Sequence, residues 1–191
     1  MRIVITEFIS LDGVIEDPGG SEGSPVGGWA FQFDQGEDGG KFKLDETLGA
    51  DALLLGRITY EGFAAAWPTI EDEAGFADKM NGMPKYVVSS TLTDPEWNNS
   101  QVVGVDSLEE LKEREGGDLL VAGSGQVARE LLRRGLVDEL RLMVFPVALG
   151  GGKRLFDDGV TARLELVESR PVGNDGIVVL VYRPKAEAAA A

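Results

Sequence analysis

Asp118-Leu-Leu-Val-Ala-Gly-Ser-Gly-Gln-Val-Ala-Arg-Glu-Leu-Leu132 is the stretch on which the fold turns. Leu119 to Ala122 is a short apolar run ending in turn residues, the pattern of a buried strand. Gly123-Ser124-Gly125 follows, and Val127, Leu131 and Leu132 then recur at helical spacing, predicting a helix over Gln126–Arg134 that Gly135 terminates. A glycine turn between a strand and a helix start leaves backbone N–H groups aimed outward, with the helix dipole behind them. Such a junction seats a phosphate, so a nucleotide cofactor is the first expectation. Gly123-x-Gly125-x-x-Ala128 also fits the loose dinucleotide fingerprint, which asks for an acid about 20 residues further on. Asp138 and Glu139 come too early and open a strand, so the motif by itself is equally compatible with an ordinary tight turn.

Outward from this stretch, strand and helix patterns alternate. Arg2–Ile9, Asp51–Leu55, Lys85–Ser89 and Val102–Val105 read as strands. Phe42–Leu48, Tyr60–Trp67, Glu71–Met80 and Ser107–Arg114 read as helices. Trp67-Pro68 breaks the second from the third, and Ser107 with Glu110 forms a capping box for the last. Gly19 to Gly40, rich in Gly, Ser and acids, predicts a long loop with an aromatic patch at Trp29, Phe31 and Phe33. After Gly135 the pattern changes to three strands, Glu139–Val147, Leu164–Arg170 and Ile177–Arg183, with Gly173-Asn-Asp-Gly176 turning the last two into an antiparallel hairpin. The expected fold is α/β: one domain over residues 1–184, a mixed and mostly parallel central sheet, helices on both faces, and an antiparallel C-terminal hairpin. Residues 185–191 read as a frayed Ala-rich tail.

Composition removes whole classes of chemistry. The 191 residues include no histidine and no cysteine. Ser-His-Asp and Cys-His mechanisms, thiol nucleophiles, disulfides and the usual zinc and iron–sulfur sites are therefore excluded. Carboxylates, Lys, Tyr and water remain for proton transfer, an inventory that suits chemistry carried by a cofactor. Eighteen Lys and Arg against 33 Asp and Glu leave a formal net charge of -15, which repels nucleic acid and anionic membranes. No apolar run approaches a membrane span, and Met1-Arg-Ile-Val-Ile-Thr-Glu7 enters a strand with an acid that interrupts any signal-peptide core. A soluble cytoplasmic protein acting on a small molecule is expected.

Two further junctions repeat the theme of the first. Ala52-Leu-Leu-Leu-Gly-Arg-Ile-Thr-Tyr-Glu61 runs from strand to helix through Gly56, which permits close backbone approach, and Arg57, whose guanidinium can fork onto a phosphate. Thr59 can cap that helix or give its hydroxyl to the same anion. Tyr86-Val-Val-Ser-Ser-Thr91 ends in three hydroxyls, which suit a ribose phosphate at the carboxyl edge of an α/β sheet.

These segments, in this order and spacing, resemble dihydrofolate reductase-like folds. Ser10-Leu-Asp-Gly13 and Phe145-Pro-Val-Ala-Leu-Gly-Gly-Gly-Lys-Arg-Leu-Phe156 narrow the resemblance to the reductase domain that forms the C-terminal half of the bacterial bifunctional riboflavin-biosynthesis deaminase-reductase. The resemblance covers roughly residues 1–184. It implies NADPH as cofactor, with NADH as the alternative. Gly56, Arg57 and Thr59 would hold the adenosine-side phosphates, Ser89, Ser90 and Thr91 would lie near the 2′-phosphate, and Gly123, Ser124, Gly125, Gln126 and Val127 would cradle the pyrophosphate. Ile9, through its backbone, and Trp29 would lie at the nicotinamide end. A homodimer is also implied.

On the substrate side, Asp12 is expected to face the pocket and, with water as the alternative, to supply the proton. Trp29 and Phe33 are expected to stack on a flat heterocycle. Gly150-Gly-Gly-Lys153 is expected to admit a substrate phosphate through Gly151 and Lys153. The chain departs from the related enzymes in three ways: Gln126 stands where a basic residue follows the glycine turn; Asp34, Asp38 and Asp45 offer no carboxylate in clear register on the first helix; and the His and Cys ligands of a deaminase domain are absent, so a stand-alone reductase domain is expected. The implied reaction is hydride transfer to a small heterocyclic or ribosylamino substrate, of the 5-amino-6-(5-phosphoribosylamino)uracil reductase type. A pterin reductase of the same fold, a non-catalytic nucleotide-binding protein and a dimerisation module remain as alternatives.

Overall fold

The fold is described by a computed structural model covering residues 1–157 and 160–185. Its strands are β1 (Arg2–Ser10), β2 (Ala50–Gly56), β3 (Lys85–Val88), β4 (Ser100–Val103), β5 (Asp118–Ala122), β6 (Glu139–Phe145), β7 (Leu164–Val172) and β8 (Ile177–Pro184). They make one eight-stranded sheet in the order β4-β3-β2-β5-β1-β6-β8-β7. The first six are parallel, and β8 pairs antiparallel with both β6 and β7. This is the mixed α/β sheet with an antiparallel C-terminal hairpin that the sequence predicts. Lys185 apart, the expected Ala-rich tail lies outside the described residues.

The helices are α1 (Gly36–Gly49), α2 (Arg57–Ala66), α3 (Phe76–Gly82), α4 (Leu108–Glu113) and α5 (Gly125–Arg133). β1 shows why they divide between two faces. Strand side chains alternate sides, so Ile3, Ile5 and Ile9 pack with Leu108, Leu111, Val127 and Leu131 of α4 and α5. Val4 faces the other way, into a cluster with Leu53, Leu55, Tyr60 of α2 and Met80 of α3. A third cluster, centred on Phe145, joins Trp29, Val172 and Val179 with Phe42 of α1. Lys85, fully buried on β3, is satisfied by the carbonyls of Asn81, Met83 and Asn98 and by the Trp97 ring, 4.2 Å from its Nζ.

Several elements differ in extent from expectation, each for a local reason. α1 begins six residues before Phe42, its first turns hidden by Gly39 and Gly40. A Cβ on Gly39 would come within 2.9 Å of the Gln35 Cβ at the start of the helix, so a glycine suits that position. α3 starts late because Gly75 takes a left-handed turn (φ 80) and Asp72 accepts the N–H groups of Phe76 and Ala77. The capping box at Ser107 does not form: Val105–Ser107 is a 3-10 turn, and among the described residues no side chain caps α4. β6 stops at Phe145, ahead of Pro146.

Candidate active site

All three junctions fall on the carboxyl edge of neighbouring strands. In the order β3-β2-β5-β1, the turns after Val88, Gly56 and Ala122 stand side by side, and the last residues of β1 lie next to them. They line one cleft of about 1220 Å³, larger than the roughly 300–1000 Å³ of a typical small-ligand pocket.

Two of the turns clasp each other. The Gly56 N–H donates to Ser124 Oγ (2.9 Å), the Ser124 N–H donates to Thr59 Oγ1 (3.0 Å), and Ser124 Oγ donates to the Ala122 carbonyl (3.1 Å). Ser124 and Thr59 therefore fix the turns to each other; the Ser124 hydroxyl is spent on the Ala122 carbonyl, whereas Thr59 Oγ1 accepts from the Ser124 N–H and keeps its own O–H to donate. Gly123 and Ser124 are both left-handed, at φ 56 and φ 61. A Cβ on Gly123 would press on Thr59 at 3.2 Å, and one on Gly125 would meet Ile15 at 2.6 Å. Among the described residues no side chain caps α5, so the N–H groups of its first turn, at Gly125, Gln126 and Val127, stand at the cleft without a cap.

Arg57 lies on the cleft, half exposed, with its guanidinium on both oxygens of Glu61 at 2.9 Å. Ser89, Ser90 and Thr91 also line the cleft. Ser89 Oγ accepts the N–H groups of Thr91 and Leu92, which leaves Ser90 and Thr91 as the exposed hydroxyls of that turn. The donor set fits a dinucleotide: an uncapped helix N-terminus walled by glycines takes a pyrophosphate, and an arginine beside two hydroxyls takes a further phosphate.

The opposite end of the cleft corrects the substrate-side expectations. Asp12 does not line the cleft. Its carboxylate accepts from Ser10 Oγ (2.7 Å), the Leu149 N–H (3.0 Å) and the Gly150 N–H (2.9 Å), and these bonds hold it well below the usual carboxylate range. A group so held keeps no proton to give, and its work is to pin the loop before Gly151. Trp29 is buried, donates its indole N–H to the Glu16 carbonyl and packs edge-on against Phe145 at 5.3 Å. Phe33 meets the same ring at 5.9 Å. Trp29 is core and Phe33 packs, partly buried, against it, and the cleft instead receives Phe31 of that patch, 74% exposed. Ile9 is buried in the α5-side core. Gly151 lines a separate recess of about 380 Å³, and Lys153, which borders both spaces, is paired with Glu16 at 2.9 Å.

Other residues build this end, and sequence reasoning did not select them for a site. Glu46 of α1 is buried on the cleft wall, accepting from Thr6 Oγ1 (2.8 Å) and paired with Lys43. Lys43 also donates to Thr6 and lies over the Phe8 ring. Asp34 and Asp38 are not among the lining residues, and Asp45 is exposed and paired with Lys41. Glu7, near the end of β1, is a deeply buried carboxyl: 3% exposed, with Oε1 buried and without a hydrogen-bond partner among the described residues. Burial pushes it up to about 8. Its signal was present in Ile3-x-Ile5-x-Glu7-x-Ile9, an acid where strand alternation calls for an apolar residue.

Comparison with known proteins agrees with this architecture. The family model of the RibD C-terminal domain matches residues 2–178. The chain is 31% identical over 189 residues to Uncharacterized protein YyaP of Bacillus subtilis (strain 168), covering 95% of this chain and 94% of that one. It is 26% identical over 157 residues to Uncharacterized protein YwjB of the same organism, covering 82% and 83%. A solved structure from Shewanella sp. PV-4, described as "Putative riboflavin biosynthesis protein", superposes with a TM-score of 0.73 at 23% identity, covering 97% of this chain and 99% of that one. With a dihydrofolate reductase-like sheet, a cleft on its carboxyl edge and a family match over nearly its whole length, the chain belongs to the RibD C-terminal domain family.

Proposed function

We propose that the protein is an NADPH-dependent reductase that reduces a C=O or C=N bond of a small heterocyclic or ribosylamino substrate. The observation that carries this reading is the row of three adjacent turns at the carboxyl ends of β3, β2 and β5, the latter two clasped through Ser124, that presents the uncapped start of α5 to a long cleft. Membership of the RibD C-terminal domain family supports it.

The residues divide the work. Gly123 to Val127 bind the pyrophosphate through backbone N–H groups, and Arg57, Ser90 and Thr91 take the adenosine-side phosphate. The bound dinucleotide supplies a hydride at nicotinamide C4. Ile15, Phe8 and Phe31 give the substrate end apolar walls, beside which preorganised groups act more strongly than in open solvent. The compound tested first is 5-amino-6-(5-phosphoribosylamino)uracil.

A second reading keeps the cofactor and changes the substrate. Glu46 is a buried carboxylate on the first helix facing the cleft, the feature that favours a pterin, and 7,8-dihydrofolate is its probe.

Titration with NADPH and NADH, following tryptophan fluorescence, tests the reading, because Trp67 borders the cleft. Micromolar quenching, tighter for NADPH, followed by NADPH oxidation with one of the two compounds, is the expected result. Absence of binding by either dinucleotide overturns it.

A further inference from the structure

Glu7 has no structural occupation that explains it. It stands on the α5-side face of β1 between Ile5 and Ile9, both buried in the apolar core. An interior carboxyl without a hydrogen bond costs free energy that a leucine or valine there would not, and Oε1 has no partner among the described residues. At the same time Glu7 lines the cleft. Of the other carboxylates at this end, Glu46 is paired with Lys43, Glu16 with Lys153, and Asp17 accepts the Glu22 and Ser24 N–H groups, while Glu22 is exposed. In a chain with no histidine and no cysteine, and with Asp12 bound into its loop, Glu7 is, among the described residues, the one acid at this end that is both sheltered and unengaged.

We propose that Glu7 is the proton donor of the cleft, meeting the substrate atom that gains a proton when its C=O or C=N bond is reduced. The assignment rests on the reductase reading above. As the substrate carbon gains a hydride from the reduced nicotinamide, the π electron pair passes to its oxygen or nitrogen. That atom bonds to the Glu7 proton while the Glu7 O–H bond breaks, and the carboxylate left behind is reprotonated from water. The substrate gains two electrons and two hydrogens, and the dinucleotide is oxidised by loss of the hydride. The charged groups around Glu7 set when it holds its proton. Burial raises its affinity for the proton, as does Glu22 of the loop, whereas Lys43 of α1 and Arg129 of α5 oppose them. Lys43 is engaged by Thr6 and Glu46, and Arg129 by the Arg154 carbonyl and Asp157. Glu7 thus remains protonated at neutral pH.

The test compares the wild type with Glu7→Gln and Glu7→Asp. NADPH affinity of the wild type is measured first, and absence of binding overturns the reductase reading and the donor role with it. With binding established, ¹³C-glutamate NMR follows the Glu7 carboxyl, assigned by its loss in Glu7→Gln. The expected result is titration near pH 8, moved to lower pH by NADP⁺, whose ring is cationic, but not by NADPH. With whichever of 5-amino-6-(5-phosphoribosylamino)uracil or 7,8-dihydrofolate is reduced, wild-type kcat falls above that pH. Glu7→Gln loses roughly 100-fold or more in kcat with NADPH affinity kept, and Glu7→Asp recovers part of it. A Glu7 signal indifferent to NADP⁺, or Glu7→Gln turnover within about threefold of wild type with the same pH break, overturns the donor role while leaving the reductase reading intact. If neither compound is reduced, the NMR response to NADP⁺ decides.

Discussion

At the scale of single residues, Glu7 makes stability depend on pH in an unusual direction. Its folded value lies at about 8 against 4.5 for the free side chain. Between those values the unfolded chain is ionised while the folded protein still binds the proton, so the folded state is favoured at the acid end and loses that advantage as pH rises. The difference is worth on the order of 5 kcal/mol, at about 1.4 kcal/mol per unit. Glu7→Gln should therefore raise the denaturant midpoint at pH 8 far more than at pH 5, and equal effects at both would refute this account. Arg57 makes the second residue-level prediction. Arg57→Ala should weaken NADPH binding by about 1–3 kcal/mol and NADH binding much less; equal losses would mean that it does not touch the 2′-phosphate. Asp12 shows where residue chemistry misleads. An acid in a turn beside a substrate loop looks available, yet its partners Leu149 and Gly150 lie more than 130 residues away along the chain, and only the folded molecule brings them to it.

At the scale of elements, the strand-to-helix turns were legible because their requirements are local. Gly56, Gly123 and Gly125 are the residues that a tight, ligand-facing turn permits, and hydroxyls beside them mark its stabilising bonds. What the sequence did not disclose was how the turns join. Ser124 links the end of β5 to the end of β2, and that depends on the two strands being neighbours. Ser124→Ala should lower stability by about 1–2 kcal/mol through two lost hydrogen bonds and weaken NADPH binding as well. Loss of stability in denaturant titration with unchanged affinity would show that the clasp does not shape the seat. The aromatic patch was half legible for a related reason. Trp29, Phe31 and Phe33 flank and occupy a single 3-10 turn (Ala30–Gln32), so one side of it must face Phe145 and the other the cleft. Composition cannot say which.

At the scale of the molecule, the sheet ends in two unlike edges. β4 is four residues long, whereas β7 is nine residues long and exposes Leu166 (51%) and Val167 (49%). A long edge strand with exposed apolar residues invites a further strand, and a second copy pairing there would give the expected homodimer. Light scattering should report twice the monomer mass for the wild type and a shift toward monomer for Val167→Glu; an unchanged dimer would place the interface elsewhere. The position of β1 has another consequence, one that bears on how the protein is made. β1, which precedes the other strands in chain order, lies inside the sheet, paired with residues 118–122 and 139–145. Its apolar side chains meet all their permanent neighbours only once β6 has been made. Until then the nascent chain carries an unsheltered hydrophobic strand, and that interval of translation is when this protein most needs a chaperone.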